Sequence, residues 1–185
     1  IITEIGDLLG GMKGRLVNFA VRRIKKLVPH FYLPQAITFT KALREGAKAS
    51  FKRIRLKPDQ TAFLQYTGGT TGLAKGAVLT HQNIIANVEQ MCAFMHKKLQ
   101  PGSEILITPL PLYHIFSLTV NVLAGIKLGA KNVLITNPRN LPAFIRELRK
   151  HPFTLMTGVN TLFSKLLEQK QFAQLDFSTL KFALA

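Results

Sequence analysis

Residues 62–76 read A-F-L-Q-Y-T-G-G-T-T-G-L-A-K-G, an apolar run that leads directly into a loop of glycine and threonine. The last eleven of these residues include four glycines, three threonines and one lysine, and they contain no acid. Glycine lets the backbone approach a ligand closely, and successive N–H groups in such a turn form an anion-binding concavity. Threonine hydroxyls and Lys75 add donors that suit a phosphate. The stretch predicts a phosphate-binding loop at the end of a strand; the alternative is a flexible glycine- and threonine-rich hairpin.

The predicted phosphate-binding loop covers residues 66–76. It differs from the phosphate loop of the common nucleotide hydrolases, in which glycine directly precedes the lysine and serine or threonine directly follows it. Here Ala74 precedes Lys75 and Gly76 follows it, so the cradle is a different one. Its members, all expected to bind the nucleotide, are Tyr66, Thr67, Gly68, Gly69, Thr70, Thr71, Gly72, Leu73, Ala74, Lys75 and Gly76.

The loop resembles the signature Y-T-S-G-T-T-G-x-P-K-G of the adenylate-forming superfamily, with Gly68 in place of the usual serine and Ala74 in place of the usual proline. Together with the A-V-L-T-H-Q-N that follows at 77–83, the loop is similar to that of bacterial long-chain-fatty-acid–CoA ligases. Three further stretches resemble the same group: L-P-L-Y-H-I-F at 110–116, L-I-T-N-P-R at 134–139 and T-G-V-N-T-L-F at 157–163. The resemblance runs from about residue 28 to the end of the chain.

This resemblance implies an enzyme that uses ATP, Mg²⁺ and CoA and acts on a fatty acid, first forming an acyl-adenylate and then a CoA thioester. Two alternatives stay open at this point. One is another adenylate-forming enzyme that acts on an aryl or amino acid, although the pocket acid that an α-amine needs is not visible nearby. The other is a basic module without catalysis that binds a membrane or another polyanion.

The resemblance also implies roles for residues outside the loop. It assigns His114 a catalytic place near the reacting carboxylate, and it assigns the acyl pocket to His114, Phe116, Gly158, Val159 and Asn160. The hydroxyls of Thr70 and Thr71 are expected to assist a Mg²⁺ ion bound through ATP. Because ligands of open α/β sheets bind at the carboxyl ends of the strands, we expect His114 to lie on the same edge as the phosphate-binding loop.

The pattern of apolar runs predicts an α/β fold with a largely parallel sheet flanked by helices, because strands alternate with helices of 10–17 residues. The resemblance makes it part of the large N-terminal domain of an adenylate-forming enzyme. We expect a basic, helical lead-in at 1–60 and the alternating segment at 61–185. The predicted strands are 62–67, 77–79, 104–108, 131–136, 153–157 and 180–184, and the predicted helices are 81–97, 115–128, 140–150 and 160–170. Thr80 is the predicted N-cap of the first of these helices, and Pro142 is expected in the first turn of the third.

The chain begins with Ile1 and stops at Ala185 within an apolar run, which indicates an internal piece of a longer protein. The resemblance implies that an adenine-binding loop, an acidic Mg²⁺ partner and a lid lysine lie outside it. The piece by itself is therefore expected to be inactive.

Positive charge is the second unusual feature of the chain, whose net charge is +16. Residues 13–57 hold thirteen Lys or Arg and one acid, Glu45, whereas residues 58–185 hold twelve basic and six acidic residues. Such a block indicates an anionic partner, a solvated face, or compensating acids elsewhere in a longer protein. Within it, residues 15–28 form a predicted cationic amphipathic helix that ends at Pro29. This helix either packs its apolar stripe on the domain or lies on an anionic membrane.

Several classes of protein are excluded or disfavoured by what the sequence lacks. A single cysteine, Cys92, excludes a disulfide framework and agrees with a reducing compartment. There is no H-E-x-x-H pair, no G-x-S-x-G elbow and no recognisable nucleic-acid-binding module. The longest apolar stretch, 115–128, contains Asn121 and Lys127 and is shorter than the ~20 residues of a membrane span, so we interpret it as a buried helix. We expect a cytoplasmic protein with peripheral contact to the inner face of the cell membrane.

Overall fold

The computed structural model describes residues 1–67 and 74–185 of the chain. These divide into two compact units, Ile1–Arg55 and Leu56–Ala185. The sequence analysis predicted the boundary between the two segments five residues later, between residues 60 and 61.

The first unit is built around helix α1 (Gly11–Phe19), which continues as a π-helical turn (Ala20–Ile24), and helix α2 (Phe39–Gly46). The predicted bounds of the first helix, 15–28, are wrong at both ends. The helix starts four residues earlier, and it ends before Pro29 because Lys26 adopts a left-handed φ of 47°. Leu27 N still donates to Val21 O (3.1 Å), which closes the last wide turn.

The inner face of α1 is also broader than its apolar stripe. Val17, Ala20 and Val21 are half-buried, and the polar Asn18 is half-buried with them. The later apolar residues of the predicted helix, Ile24, Leu27 and Val28, are exposed. Its Oδ1 accepts from Gly6 N (2.7 Å) and its Nδ2 donates to the Glu4 carboxylate (3.1 Å). A polar side chain is thus held inward because both of its amide groups find partners.

In the second unit, β1 (Thr61–Thr67) and β2 (Lys75–Thr80) form an antiparallel hairpin that is separate from the larger sheet. The register pairs Tyr66 with Gly76 and Thr67 with Lys75. The predicted strands are confirmed, but the expectation that the loop after β1 shares a sheet edge with His114 is not supported. Among the described residues β1 pairs only with β2, so the rule for parallel strands does not apply to it.

The larger sheet has four parallel strands in the order β4-β3-β5-β6. The α/β class with a parallel sheet flanked by helices is confirmed. The strands are β3 (Ile105–Thr108), β4 (Lys131–Leu134), β5 (Leu155–Thr157) and β6 (Phe182–Leu184). The helices of this unit are α3 (His81–Met95), α4 (Ile115–Ser117) continued by a π-helical segment (Leu118–Ala124) and by α5 (Gly125–Lys127), then α6 (Leu141–Leu148), α7 (Asn160–Leu167) and α8 (Lys170–Ala173).

Alternate residues of the strands serve two separate cores. Ile107 and Met156 point into a cluster with α6, α7 and α8 that buries Phe144, Ile145, Leu148, Leu166 and Phe172. Leu106 and Leu155 point the other way, toward Met95 and Leu99 at the end of α3. A Cβ on Gly125 would lie 3.5 Å from Leu106, so the helix that spans 115–127 covers this second face. The sheet therefore has helices on both faces: the helical segment after β3 lies on one face, and the helices after β4 and β5 lie on the other.

Local signals set the starts of two helices as predicted. Thr80 caps α3: its Oγ1 accepts from Asn83 N (3.2 Å), while Asn83 Oδ1 accepts from Thr80 N (3.0 Å). This reciprocal pair is a capping box. Asn140 caps α6 by accepting from Ala143 N (3.2 Å), with Pro142 in the first turn, where its missing N–H is no loss.

None of the helices in the described part of the chain combines the length and the apolar character that a membrane crossing requires.

The amino edge of the sheet holds a buried charge. Glu104 is 1% exposed, and its Oε1 accepts from Lys181 Nζ and from Gln100 N, both at 2.6 Å. Within the described residues Oε2 has no partner. Burial by itself raises the pKa of Glu104, but the hydrogen bonds from Gln100 and Lys181 outweigh it and leave the pKa below its ordinary value.

We predict that Lys181→Met destabilises the fold at neutral pH by about 3–5 kcal/mol, because it leaves the Glu104 carboxylate buried without its partner. Since the pKa of Glu104 is lower in the folded chain than in the unfolded one, the pair stabilises the fold above the ordinary carboxyl pKa. That contribution disappears as the pH falls through the lowered value. Urea unfolding across this range should show the difference from wild type shrink in acid. A Lys165→Met control should change little; equal midpoints for wild type and Lys181→Met at neutral pH would contradict the account.

Candidate functional site

The base of the predicted phosphate-binding loop is described, and its tip is not. Tyr66, Thr67, Ala74, Lys75 and Gly76 lie at the end of the β1–β2 hairpin, where all five are exposed. The other members of the predicted loop, Gly68, Gly69, Thr70, Thr71, Gly72 and Leu73, lie outside the described residues. The prediction of a phosphate site at the loop tip therefore stays a prediction.

Gly76 faces Tyr66 at the base of this loop. A Cβ on Gly76 would lie 3.4 Å from the ring of Tyr66, its partner in the hairpin register, which is a close van der Waals contact. Lys75 stands opposite Thr67 and is exposed. Among the described residues, no carboxylate forms an ion pair with it, which leaves its ammonium able to meet an anion.

The two predicted acyl-pocket segments follow neighbouring parallel strands. His114 and Phe116 come after β3, and Gly158, Val159 and Asn160 come after β5. Parallel neighbours present their carboxyl ends at one edge, so the fold places both segments there. Among the described residues no hydrogen bond joins the two segments directly.

His114 is the N-cap of the helix that begins at Ile115. Its ring Nδ1 accepts a hydrogen bond from Phe116 N (3.3 Å), and its main-chain N–H donates to Pro111 O (3.1 Å). Because Nδ1 is the acceptor, the neutral ring carries its proton on Nε2 and presents an N–H donor on the far side. The residue is exposed, whereas Phe116 is half-buried. The imidazole is thus held by its inner nitrogen with its outer nitrogen free to meet an oxygen.

Gly158 is required by its surroundings. It is buried, its N–H donates to Leu184 O (2.9 Å), and a Cβ built on it would lie 2.8 Å from Cε2 of the Phe163 ring. Val159 and Asn160, in contrast, are exposed at the start of α7. Glycine at 158 lets the first turn of α7 lie close to the sheet edge.

A buried polar network at this edge was missed by the sequence interpretation, in which Asn121 was only an interruption of an apolar run. Asn121 is 0% exposed, and its Nδ2 donates to Thr108 Oγ1 (2.8 Å) and Thr157 Oγ1 (3.1 Å). Its Oδ1 accepts from Ser117 Oγ and from Thr157 Oγ1, each at 3.2 Å. Every hydrogen-bonding group of the amide therefore has a partner. The available signal was the polar residue itself, because buried amides are placed where they are satisfied.

The direction of this network is set by a main-chain carbonyl. Asn132 Nδ2 donates to Asn121 O (2.6 Å), so Asn132 Oδ1 must be the acceptor for Thr108 Oγ1 (2.7 Å). With its proton committed there, the Thr108 hydroxyl can only accept from Asn121. A Cβ on Gly125 would lie 2.8 Å from Asn132 Nδ2, so glycine at 125 makes room for this chain of bonds.

A cleft of about 580 Å³ opens beside this network, at the carboxyl ends of β3 and β4. Arg139 is the one charged residue of its lining; the others are Thr108, Pro109, Leu110, Pro111, Leu112, Leu134, Ile135, Thr136, Asn137 and Pro138. His114, Phe116 and Gly158 are not among the lining residues, so the predicted acyl residues lie on the β3–β5 side of the edge and the cleft on the β3–β4 side.

Metal ligands were predicted only within the loop, at Thr70 and Thr71, which lie outside the described residues. In the two described ranges no group of three or more His, Cys, Asp or Glu side chains is placed to hold a metal ion.

We predict that Gly158→Ala destabilises the fold by about 1–3 kcal/mol, because the new methyl group forces the Phe163 ring to move. The double variant Gly158→Ala/Phe163→Leu should recover part of the loss, since leucine leaves the space that the ring occupied. Thermal unfolding of the two variants tests this. Gly46→Ala, at a site where a Cβ meets nothing within 4 Å, is the matched control. A Gly158→Ala protein that unfolds at the wild-type temperature would show that the contact is not limiting.

Comparison with known proteins places this site in a family. The model of the AMP-binding enzyme family matches residues 20–185. The long-chain-fatty-acid–CoA ligase of Escherichia coli O157:H7 is 56% identical over 180 residues, which are 97% of this chain and 32% of the relative. That of Yersinia pestis is 53% identical over 184 residues, 100% of this chain and 33% of the relative. The chain therefore spans about a third of the length of the curated relatives it matches.

Solved structures agree at the level of the fold. The N-terminal domain of FACL13 from Mycobacterium tuberculosis has a TM-score of 0.67 at 19% identity, covering 80% of this chain and 36% of that one. The O-succinylbenzoate coenzyme A synthetase of Bacillus subtilis, in complex with AMP, has a TM-score of 0.59 at 23% identity, covering 80% and 37%. The fold described above is thus shared with these structures over 80% of the chain. Because the family model matches most of its length, the chain belongs to the AMP-binding enzyme family.

Proposed function

We propose that a protein of the relatives' length that carries this sequence, hereafter the full-length protein, is an ATP-dependent long-chain-fatty-acid–CoA ligase. The observation that carries the proposal is the likeness to ligases of that name over nearly the whole chain, which includes the loop and both edge segments. In the first step a carboxylate oxygen of the fatty acid attacks the α-phosphorus of ATP, and the bond to the bridging oxygen breaks to release pyrophosphate. In the second step the CoA sulfur attacks the acyl carbon, and AMP leaves.

The loop is assigned to the phosphates of ATP. Backbone N–H groups of its glycines, the hydroxyls of Thr70 and Thr71 and the ammonium of Lys75 are donors for the negative charge that grows on departing pyrophosphate. The exposure of Lys75 at the hairpin end and the lack of acids in the loop support this assignment. Fixed donors of this kind act without reorganising during the reaction, which is why their loss is costly.

The carboxyl edge of the sheet is assigned to the acyl substrate. The outward Nε2–H of His114 is a donor for a carboxylate oxygen, and half-buried Phe116 offers apolar surface beside it. Gly158, Val159 and Asn160 are assigned to the facing wall, in which Gly158 leaves room for the ring of Phe163. These roles agree with the geometry of the segments and rest on the proposed activity.

A magnesium ion is part of the proposal for the first step. It would neutralise charge on the phosphate oxygens of ATP. Within the described residues no cluster of three or more His, Cys, Asp or Glu is placed to hold such an ion. The hydroxyls of Thr70 and Thr71 are proposed to assist it.

We predict that Thr70→Ala, Thr71→Ala and Lys75→Ala each slow adenylation by the full-length protein strongly while leaving it folded. Removal of one preorganised donor to a developing charge raises the barrier by ~2.7–4 kcal/mol, or ~10²–10³ in rate. The assay is pyrophosphate exchange into ATP, with palmitate, coumarate and phenylalanine compared as substrates. Thr61→Ala and Lys165→Ala are controls of the same chemistry on exposed positions away from the loop. Near-wild-type exchange in all three loop variants, or exchange that prefers the aryl or amino acid, would contradict the proposal.

We propose that the full-length protein is cytoplasmic and that its first unit touches the inner face of the cell membrane. We propose that α1 and the basic residues after it contact an anionic lipid surface. Met12, Leu16 and Phe19 recur at helical spacing on α1 and are exposed. Arg23, Lys25 and Lys26 follow them and are exposed too. Apolar side chains beside cations are the combination that binds anionic bilayers.

We predict that the full-length protein co-sediments with vesicles of phosphatidylglycerol better than with vesicles of phosphatidylcholine, and less at high salt. Replacing Arg23, Lys25 and Lys26 with Gln should weaken binding by up to about 100-fold, at ~1 kcal/mol for each charge. Arg22 is left in place because it bonds Glu4 (2.6 Å) and lies over the ring of Phe31, so its loss would disturb the fold.

The matched control replaces Lys97, Lys165 and Lys170 with Gln, which changes the net charge equally in the second unit. Binding that falls as much in the control as in the test variant, or that ignores lipid charge and salt, would show that the basic block is a solvated face.

A further inference from the structure

We propose that Asn121 is a positioning residue that holds the His114 segment (109–116) and the Gly158 segment (158–160) at a fixed separation for the acyl substrate. The inference rests on the proposed function for its substrate. Its physical basis is independent of that function, because it concerns how two loops at one sheet edge are joined.

The main-chain link between the two strands stops short of the site. β3 and β5 pair through Leu106 with Leu155 and through Ile107 with Met156, and the pairing ends there. On their other sides the same strands stay paired to their last residues, Thr108 with Leu134 and Thr157 with Leu184. The sheet therefore opens between β3 and β5 one residue before each segment begins.

Asn121 bridges this opening. Its Nδ2 group donates to the hydroxyls of Thr108 and Thr157, the last residues of the two strands. The side-chain amide replaces the next main-chain pair of the ladder. It does so at the point where the helical segment after β3 and the helix after β5 go to opposite faces of the sheet. Crevices at such switch points are where ligands bind in open α/β sheets.

A third bond ties the amide to the His114 segment itself. Ser117 Oγ lies 3.2 Å from Asn121 Oδ1 and 3.3 Å from Leu110 O, so its single proton is shared between the amide and the loop that leads to His114. Ser117 is 0% exposed, and no solvent competes for its proton. Thr157 and Ser117 thus connect the two segments through the same side chain.

The π-helical segment Leu118–Ala124 presents Asn121 to the opening. Such wide turns are rare and are concentrated at functional sites. The main-chain carbonyl of Asn121 accepts from Asn132 of β4, and Gly125 leaves the space for that contact. The amide is therefore fixed in both place and direction, as a residue that sets a distance must be.

The test compares Thr157, the last residue of β5, with Thr154, which directly precedes that strand. Thr157→Val removes the hydroxyl that meets Asn121, and Thr157→Ser retains it. Thr154→Val is the matched control: Thr154 is also buried and also links β5 to β3, with its Oγ1 accepting from Ile105 N (3.0 Å), but at the amino edge. Asn121→Leu removes the amide at similar volume.

The first readout is steady-state adenylation of palmitate by the full-length protein. We expect kcat/KM for palmitate to fall about 10- to 100-fold in Thr157→Val and Asn121→Leu, because small misplacements of a bound substrate have effects of this size. The KM for ATP should stay within about twofold, and Thr157→Ser and Thr154→Val should stay within about threefold of wild type for both substrates. Equal losses in Thr157→Val and Thr154→Val, or a loss shared by palmitate and ATP, would overturn the proposal.

The second readout needs no turnover. Hydrogen exchange of the amides of His114, Phe116 and Gly158 should become faster in Thr157→Val and stay unchanged in Thr154→Val. If wild type lacks palmitate-dependent exchange of pyrophosphate, the proposed function fails, while these amides still decide whether Asn121 holds the segments. Hydrogen exchange of these amides that is unaltered in Thr157→Val would overturn the positioning role. This test does not require that Asn121→Leu folds.

Discussion

The carboxyl ends of β3 and β5 separate after Ile107 and Met156, and the buried amide of Asn121 bonds to both strands where their own pairing has ended. The arrangement of the candidate acyl site depends on this link, because the segments that carry His114 and Gly158 begin at the next residues. A side-chain amide can replace the missing ladder bonds only if all of its hydrogen-bonding groups have partners and its orientation is fixed. Asn132 fixes that orientation, because its bonds to Asn121 O and Thr108 Oγ1 set the direction of the hydrogen bond between Asn121 and Thr108.

The two edges of the sheet are stabilised by different chemistry. The amino edge uses the buried ion pair of Glu104 and Lys181, while the carboxyl edge uses neutral hydroxyls and amides. A neutral network adds no fixed charge that would compete with a carboxylate or a phosphate. The cations proposed for ligands, Lys75 for phosphate and Arg23, Lys25 and Lys26 for lipid, are exposed instead. The cations proposed to bind ligands are thus exposed, and the network that holds the loops at the carboxyl edge is neutral.

Periodicity and capping signals predicted the strands of residues 61–185 and the starts of α3 and α6. They did not predict the π-helical segment Leu118–Ala124 or the separate short helix α8. They failed for α1, where the π-helical turn and left-handed Lys26 end the helix before Pro29. They also could not separate the hairpin from the parallel sheet, because pairing partners are a tertiary property. Asn121 was unpredictable in its role for the same reason: its partners lie 13 and 36 residues away. The loop motif identified the family, and its tip stays a prediction.

The central claim is that the carboxyl edge between β3 and β5 receives the acyl end of the substrate while the loop after β1 receives the phosphates. A crystal structure of the full-length protein with a non-hydrolysable acyl-adenylate analogue tests it most directly. The account predicts that the acyl carbonyl lies between the His114 and Gly158 segments, within hydrogen-bond reach of His114 Nε2. An acyl group seated elsewhere, for example in the cleft beside Arg139, with His114 turned to solvent, would contradict it.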